Sequence, residues 1–218
     1  MTSPPPQEPR SAAVLVPVKS FDLAKGRLAD AMAADERARL ARSMAERVVA
    51  AAAGLPAFVV CATDEVAEWA VGVGAEVIRF EPPGLNAAVT HAARELAERG
   101  FNEVIVAHGD LPLAKDLTWL VDFDGVTVVA DRRGDGTNVL VVPLGTGFEF
   151  HYGPGSARAH RTEARRVGLP HRTIDDPELG WDVDTPDDLN LPEADLRAVS
   201  GDAEAVDGTA TADDPAEG

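Results

Sequence analysis

Cysteine is almost missing from this chain. Cys61 is the only one in 218 residues, so neither a disulfide framework nor a thiolate metal site can be built. It falls inside the apolar run "AFVVCAT", where a lone thiol packs as a small hydrophobe. Long hydrophobic runs are missing too: nothing reaches the roughly 18 apolar residues that a membrane span needs. The opening "MTSPPPQEPR" has no apolar segment of the secretory kind, and a cytoplasmic location is expected. Basic residues are scarce, 20 Lys and Arg against 37 Asp and Glu, for a net charge of -17. Residues 193–218 carry eight acids and one arginine, a net of -7 that leaves about -10 on the remainder. Such a body has no sequence-independent grip on nucleic-acid phosphates, which needs clustered cations. An anionic ligand must then be held by a local device: a metal, a helix N-terminus or a few chosen cations.

Several motifs are absent as well. There is no G-x-x-x-x-G-K-[ST] loop, which argues against a Walker-type NTPase. His91, His108, His151, His160 and His171 show no H-E-x-x-H spacing, so zinc is not expected and most should lie at the surface or in caps. "VGVGAEV" puts two glycines before a strand and not three after one, and reads as a helix end. "GPGSA" departs from the G-x-S-x-G nucleophile elbow, leaving a serine hydrolase as a remote reading.

What remains is ordinary globular material, 45% hydrophobic and 26% charged, enough for one α/β domain over residues 12–191. Residues 1–11 and the acidic segment 192–218 are expected to be disordered, the latter a solvating tail. Apolar runs of strand length at 12–18, 57–62, 75–80 and 102–109 alternate with helical patterns at 34–54, 64–73 and 86–100. Strands without polar alternation, separated by helices, predict a mostly parallel sheet covered on both faces. Two further strands are predicted at 126–130 and 138–142, then a helix after Gly153-Pro154-Gly155-Ser156 that ends at Gly168.

In open sheets of this kind ligands collect at the carboxyl ends of the strands. Asp110, in "VIVAHGDLPL", follows such an end, although a turn role would also suit it. In "LGWDVDTPDDLNL" the extended backbone puts Asp182 and Asp184 on one face with Val183 opposite, so the two carboxylates can converge on one cation. Thr185 then caps, Pro186 takes the first helical position, and Asp187 and Asp188 suit the positive helix end. Asp110, Asp182 and Asp184 make an oxygen-only site for which Mg2+ is the natural occupant. The glycine-rich helix start at Ser156 offers a seat for phosphate or carboxylate, or simple N-capping by Ser156. Lys19, Lys25 and Arg27, just beyond the first strand, concentrate positive charge suited to a triphosphate.

The segments "VPVKSFDLAKGRLA", "GLNAAV", "HGDLPL", "DGTNVL", "FHYGPGSARAH" and "DVDTPDDL", in that order over about residues 12–191, resemble the guanylyltransferases of deazaflavin coenzyme F-420 biosynthesis. The resemblance implies a glycosyltransferase-A-like nucleotidyltransferase fold. It implies transfer of GMP from GTP to phosphoenolpyruvate or 2-phospho-L-lactate, with pyrophosphate released. It gives Asp110, Asp182 and Asp184 the Mg2+, Thr137, Gly153 and Ser156 the three-carbon acid, and Lys19, Lys25, Arg27 and Asn86 the nucleotide, with Asp110 and Lys25 as the catalytic pair. A homodimer is compatible with it. A sugar-phosphate or pterin nucleotidyltransferase and a non-catalytic nucleotide-binding module are the alternatives.

Overall fold

A computed structural model of the chain describes residues 11–22, 24–81 and 84–190; the two terminal segments expected to be disordered lie almost wholly outside them. Seven strands form one sheet: β1 (Ala12–Pro17), β2 (Ala57–Cys61), β3 (Glu76–Arg79), β4 (Glu103–Ala107), β5 (Val126–Ala130), β6 (Thr137–Pro143) and β7 (His171–Ile174). Their order is β3-β2-β1-β4-β6-β5-β7. Every neighbouring pair is parallel except those of β6, which runs antiparallel to both β4 and β5. The carboxyl ends of six strands and the beginning of β6 thus share one edge. The crossover direction reverses between β1 and β4, the place where sheets of this type open a crevice.

Helices α1 (Ala34–Ala50) and α2 (Asp64–Gly72) cover one face, and α3 (Leu85–Glu98) and α4 (Ser156–Arg166) the other. The strand residues divide by parity, as a period of two requires: Val14 and Val16 join the α1/α2 side while Ala13 and Leu15 join the α3/α4 side. With both faces covered, β1 and β4 have no polar side to show. Burying each Val or Leu contributes about 1.5–3 kcal/mol, which is why these runs read so plainly in the sequence.

The elements differ from expectation in three places. α1 ends at Ala50, because Ala52 and Ala53 bond three residues back and tighten the chain before Gly54, at φ 101, turns it. Strand β7 has no apolar run to announce it; "HRTI" is a half-exposed segment paired with β5 at the sheet's end. And α4 begins with Ser156 as its first helical residue, capped by Gly155 in the left-handed region, so Ser156 is not its N-cap.

One irregularity matters for the site. Val129 pairs with Val139 and Ala130 with Thr137, leaving Asn138 as an extra residue in β6. Such a bulge flips the side chains beyond it. Thr137 would otherwise share the face of Val139; it turns instead toward α4, and Asn138 turns toward Leu179 on the opposite side.

Candidate active site

The three aspartates predicted to meet do lie at one place, on the ligand edge. Asp110 follows β4, and its carbonyl accepts from the Val183 N–H at 3.2 Å, which ties the 182–184 segment to the strand end. Val183 is buried with Leu28 and Met44, as the alternation predicted, leaving Asp182 and Asp184 to the other side. Burial, then repulsion from Asp110 and Asp184, raises the Asp182 carboxyl above the usual carboxylate range. The segment is braced from below by Asp188, a fully buried carboxylate. It accepts from the Asp184 N–H at 2.8 Å and from the Thr185 N–H and hydroxyl at 2.6 and 2.9 Å. Arg132 and Arg133 balance its charge. Asp188 is therefore more than a helix-dipole partner: it binds residues 184–185 to the loop after β5.

The cation between the acids is Lys25. Its Nζ lies 2.5 Å from Asp110 Oδ2 and 3.2 Å from Asp184 Oδ1. Its ammonium faces these carboxylates, with the side chain only 9% exposed. The backbone at Lys25 has φ 56, in the left-handed region, an arrangement that costs about 1–3 kcal/mol and persists where the surroundings impose it. Burial would lower the Lys25 pKa, but Asp110 and Asp184 outweigh it and raise it. The same pairing overcomes burial at Asp110 and holds that carboxyl below its usual range. Arg27 reaches Asp184 at 3.4 Å from a largely exposed position. Lys19 is exposed on the wall of a cleft of about 260 Å³ that Lys25, His108 and Asp110 also line.

A divalent ion fits this donor set. Asp110 Oδ1 is buried with no hydrogen-bond partner among the described residues, and three carboxylates supply only hard oxygen donors. The three aspartates are not drawn as tightly as Glu149, His151 and Glu163, whose ligand atoms lie within 4.8 Å of one another. In that second group, however, Arg166 already bonds both Glu163 oxygens, at 2.8 and 2.5 Å.

On the other side of the cleft the expected anion seat has an occupant from the chain itself. The Gly155 N–H donates to the Asp135 carboxylate at 2.9 Å and the Ala157 N–H to the Asp135 carbonyl at 3.0 Å. The Ser156 N–H bonds back to Gly153, which holds φ 131, a conformation a side chain would strain. Donors at the start of α4 are thus already spent, and Ser156 is 2% exposed. The Asp135 loop is itself compact, with Gly136 so close to Asp131 Oδ2 that an added Cβ would sit 2.6 Å from it. Thr137 is buried against His160 at 3.1 Å. Asn86, expected at the nucleotide, spends both ends of its amide on Tyr152: its nitrogen donates to the carbonyl at 3.1 Å and its oxygen accepts from the N–H at 2.6 Å.

Four contributors went unrecognised in the sequence. His108 Nε2 and Tyr152 Oη are each buried without a hydrogen-bond partner among the described residues, with ring centroids 5.2 Å apart. Asn138 sits under Asp182 and donates to the Leu179 carbonyl at 3.0 Å. His160, expected at the surface, is fully buried. A lone histidine or tyrosine beside a glycine turn gives no period to detect, so only the fold reveals them.

Comparison with known proteins gives the chain its family and its fold relatives. The model of a family described as "Guanylyl transferase CofC like" matches residues 12–192. The chain is 34% identical over 193 residues to the phosphoenolpyruvate guanylyltransferase of Conexibacter woesei, covering 83% of this chain and 86% of that one. It is 31% identical over 183 residues to the 2-phospho-L-lactate guanylyltransferase of Methanocaldococcus fervens, covering 81% and 82%. Solved structures share the fold at low identity. CMP:2-keto-3-deoxy-manno-octonic acid synthetase, solved with CTP, gives a TM-score of 0.54 at 14% identity over 87% of this chain and 98% of that one. A Desulfovibrio desulfuricans G20 structure described as a nucleotide-diphospho-sugar transferase gives 0.67 at 17%, covering 89% and 90%. A nucleotidyltransferase fold with acids and cations gathered at its switch point, matched by one family model over residues 12–192, places this chain in the CofC-like guanylyl transferase family.

Proposed function

We propose that this chain transfers GMP from GTP to phosphoenolpyruvate, releasing pyrophosphate, with Mg2+ held by Asp110, Asp182 and Asp184, and that it works in the cytoplasm. The observation that carries the reading is the meeting of Asp110 and Asp184 around Lys25 at the carboxyl end of β4. Membership of the family and the printed activities of the relatives support the substrates.

The chemistry asks little proton transfer of the protein. A phosphate monoester has a second pKa of about 6, so near pH 7 the acceptor's oxygen is already anionic and needs no general base. That oxygen forms a bond to the α-phosphorus of GTP while the bond to the bridging oxygen of pyrophosphate breaks. What must be supplied is alignment and charge compensation for two anions that repel each other. Lys19, exposed on the cleft wall, and Arg27, exposed beside Asp184, meet the triphosphate, while Lys25 holds Asp110 and Asp184 together. When bound, the divalent ion neutralises charge on the transferred phosphoryl group and its leaving pyrophosphate. Thr137, Gly153 and the Ser156 hydroxyl, rather than the spent N–H groups of residues 155–157, form the acceptor side, with His108 Nε2 and Tyr152 Oη as further buried polar atoms that lack partners among the described residues.

Purified protein supplied with GTP, MgCl2 and phosphoenolpyruvate should release pyrophosphate, and mass spectrometry should find the guanosine diphospho adduct. Parallel reactions with 2-phospho-L-lactate, sugar phosphates and a pterin substrate rank the acceptors. Asp110→Asn should lose at least about 100-fold in kcat with an unchanged fold. Turnover only with a sugar phosphate, or GTP binding without pyrophosphate, would replace this reading.

A further inference from the structure

His160 is buried on α4 and both of its ring nitrogens are engaged. Nε2 lies 3.0 Å from the backbone nitrogen of His151. A peptide N–H can only donate, so Nε2 is the accepting nitrogen and carries no proton. In a neutral imidazole the proton is then on Nδ1, and Nδ1 lies 3.1 Å from Thr137 Oγ1. Thr137 therefore accepts from His160 and keeps its own hydroxyl proton for another partner. The ring stays neutral because burial, aided by His151 and His108, pushes its pKa down to about 4. An imidazolium would set a second N–H against that of His151.

The direction of this bond decides what Thr137 can do. If Thr137 donated to the ring, it would turn lone pairs toward an anion; accepting from the ring, it presents a donor. The bulge at Asn138 brings Thr137 to α4 in the first place. We propose that His160 is a positioning residue that fixes the Thr137 hydroxyl as a hydrogen-bond donor to the phosphate or carboxylate of the acceptor. The proposal rests on the reading above that Thr137 faces the acceptor.

Two measurements test it. On the wild-type protein, nitrogen-15 spectra of the histidines should show His160 protonated at Nδ1 and bare at Nε2 near pH 7; the opposite tautomer overturns the proposal without any substitution. In steady-state kinetics with GTP and phosphoenolpyruvate, Thr137→Val and His160→Gln should each raise the KM for phosphoenolpyruvate roughly tenfold, the loss of about one hydrogen bond, with the KM for GTP unchanged. Gln can reach the place of Nε2 but not Thr137, whereas His160→Asn, which puts an amide nitrogen near Nδ1, should recover most of the affinity. The double variant should be no worse than Thr137→Val alone. A Thr137→Val enzyme with normal acceptor KM would remove Thr137 from the acceptor site, and this proposal with it. A normal Thr137→Val effect that the His160→Gln loss multiplies would leave the acceptor site standing and overturn the positioning role.

Discussion

Lys25 and Asp110 stand 85 positions apart in the chain and 2.5 Å apart in space. The contact joins the loop after β1 to the end of β4, across the crevice where the sheet changes direction. Removing the ammonium would leave Asp110, Asp182 and Asp184 facing each other. We expect Lys25→Ala to lower kcat by about 100-fold or more and to lower the metal concentration needed for half-maximal rate, because uncompensated carboxylates attract a divalent ion more strongly. A Mg2+ titration of initial rates checks both, and wild-type turnover would remove Lys25 from the machinery.

Asp135 gives a second test. Its carboxylate and carbonyl take the Gly155 and Ala157 N–H groups at the head of α4, the work of an N-cap done from a loop. Asp135→Ala should cost about 1 kcal/mol in urea denaturation. It should also raise the KM for the acceptor, because the Gly153–Ser156 turn loses its anchor. A weaker fold with unaltered acceptor KM would confine Asp135 to a structural role.

Tyr152 offers the reverse pairing of stability and activity. Its Oη is buried without a partner, and an unpartnered buried hydroxyl costs roughly 1–3 kcal/mol. Tyr152→Phe should therefore melt at a higher temperature than wild type and turn over phosphoenolpyruvate less efficiently, about tenfold in kcat/KM. Gain in melting temperature with full activity would place Oη outside the site.

Acid should weaken the fold over a defined window. His160 has a folded pKa of about 4 against an ordinary 6.5. Between those values the unfolded chain binds more protons than the folded one, so stability falls as pH drops from 6.5 toward 4 and is complete above 6.5. Glu163, held near 2 from an ordinary 4.5 by its hydrogen bonds to Arg166, extends the loss below pH 4.5. Urea midpoints measured from pH 7 to 4 should decline, and His160→Asn should flatten the decline. An unchanged slope in that variant would assign the acid sensitivity to other groups.

Much of this was legible beforehand because burial on both faces writes a strand as an unbroken apolar run, and because every such run except β6 ends on the same edge. Asp182 and Asp184 followed from the period of two alone. β7 was not legible, since "HRTI" is half-exposed and has no such run. Lys25 was placed on the right edge, but its contacts with Asp110 and Asp184 were not foreseen, for its direction comes from a left-handed backbone that composition does not signal. The start of α4 looked like an open anion seat because its cap arrives from Asp135, 20 residues upstream. Thr137 and His160 meet only because one extra residue in β6 turns a side chain around.

The lone reversed strand divides the labour of the crevice. On one side of β4 the chain offers loops that leave strands; on the other it offers the hairpin that enters β6, together with the α4 turn that this hairpin grips. Residues 131–160 lie against the rest of the fold along the β4–β6 pairing, with Asn86 and Asp188 as side-chain ties. On the function proposed above, a change of acceptor would be written there, by evolution or by exchange of that segment between relatives, while the loops that leave β1 and β4 stay as they are.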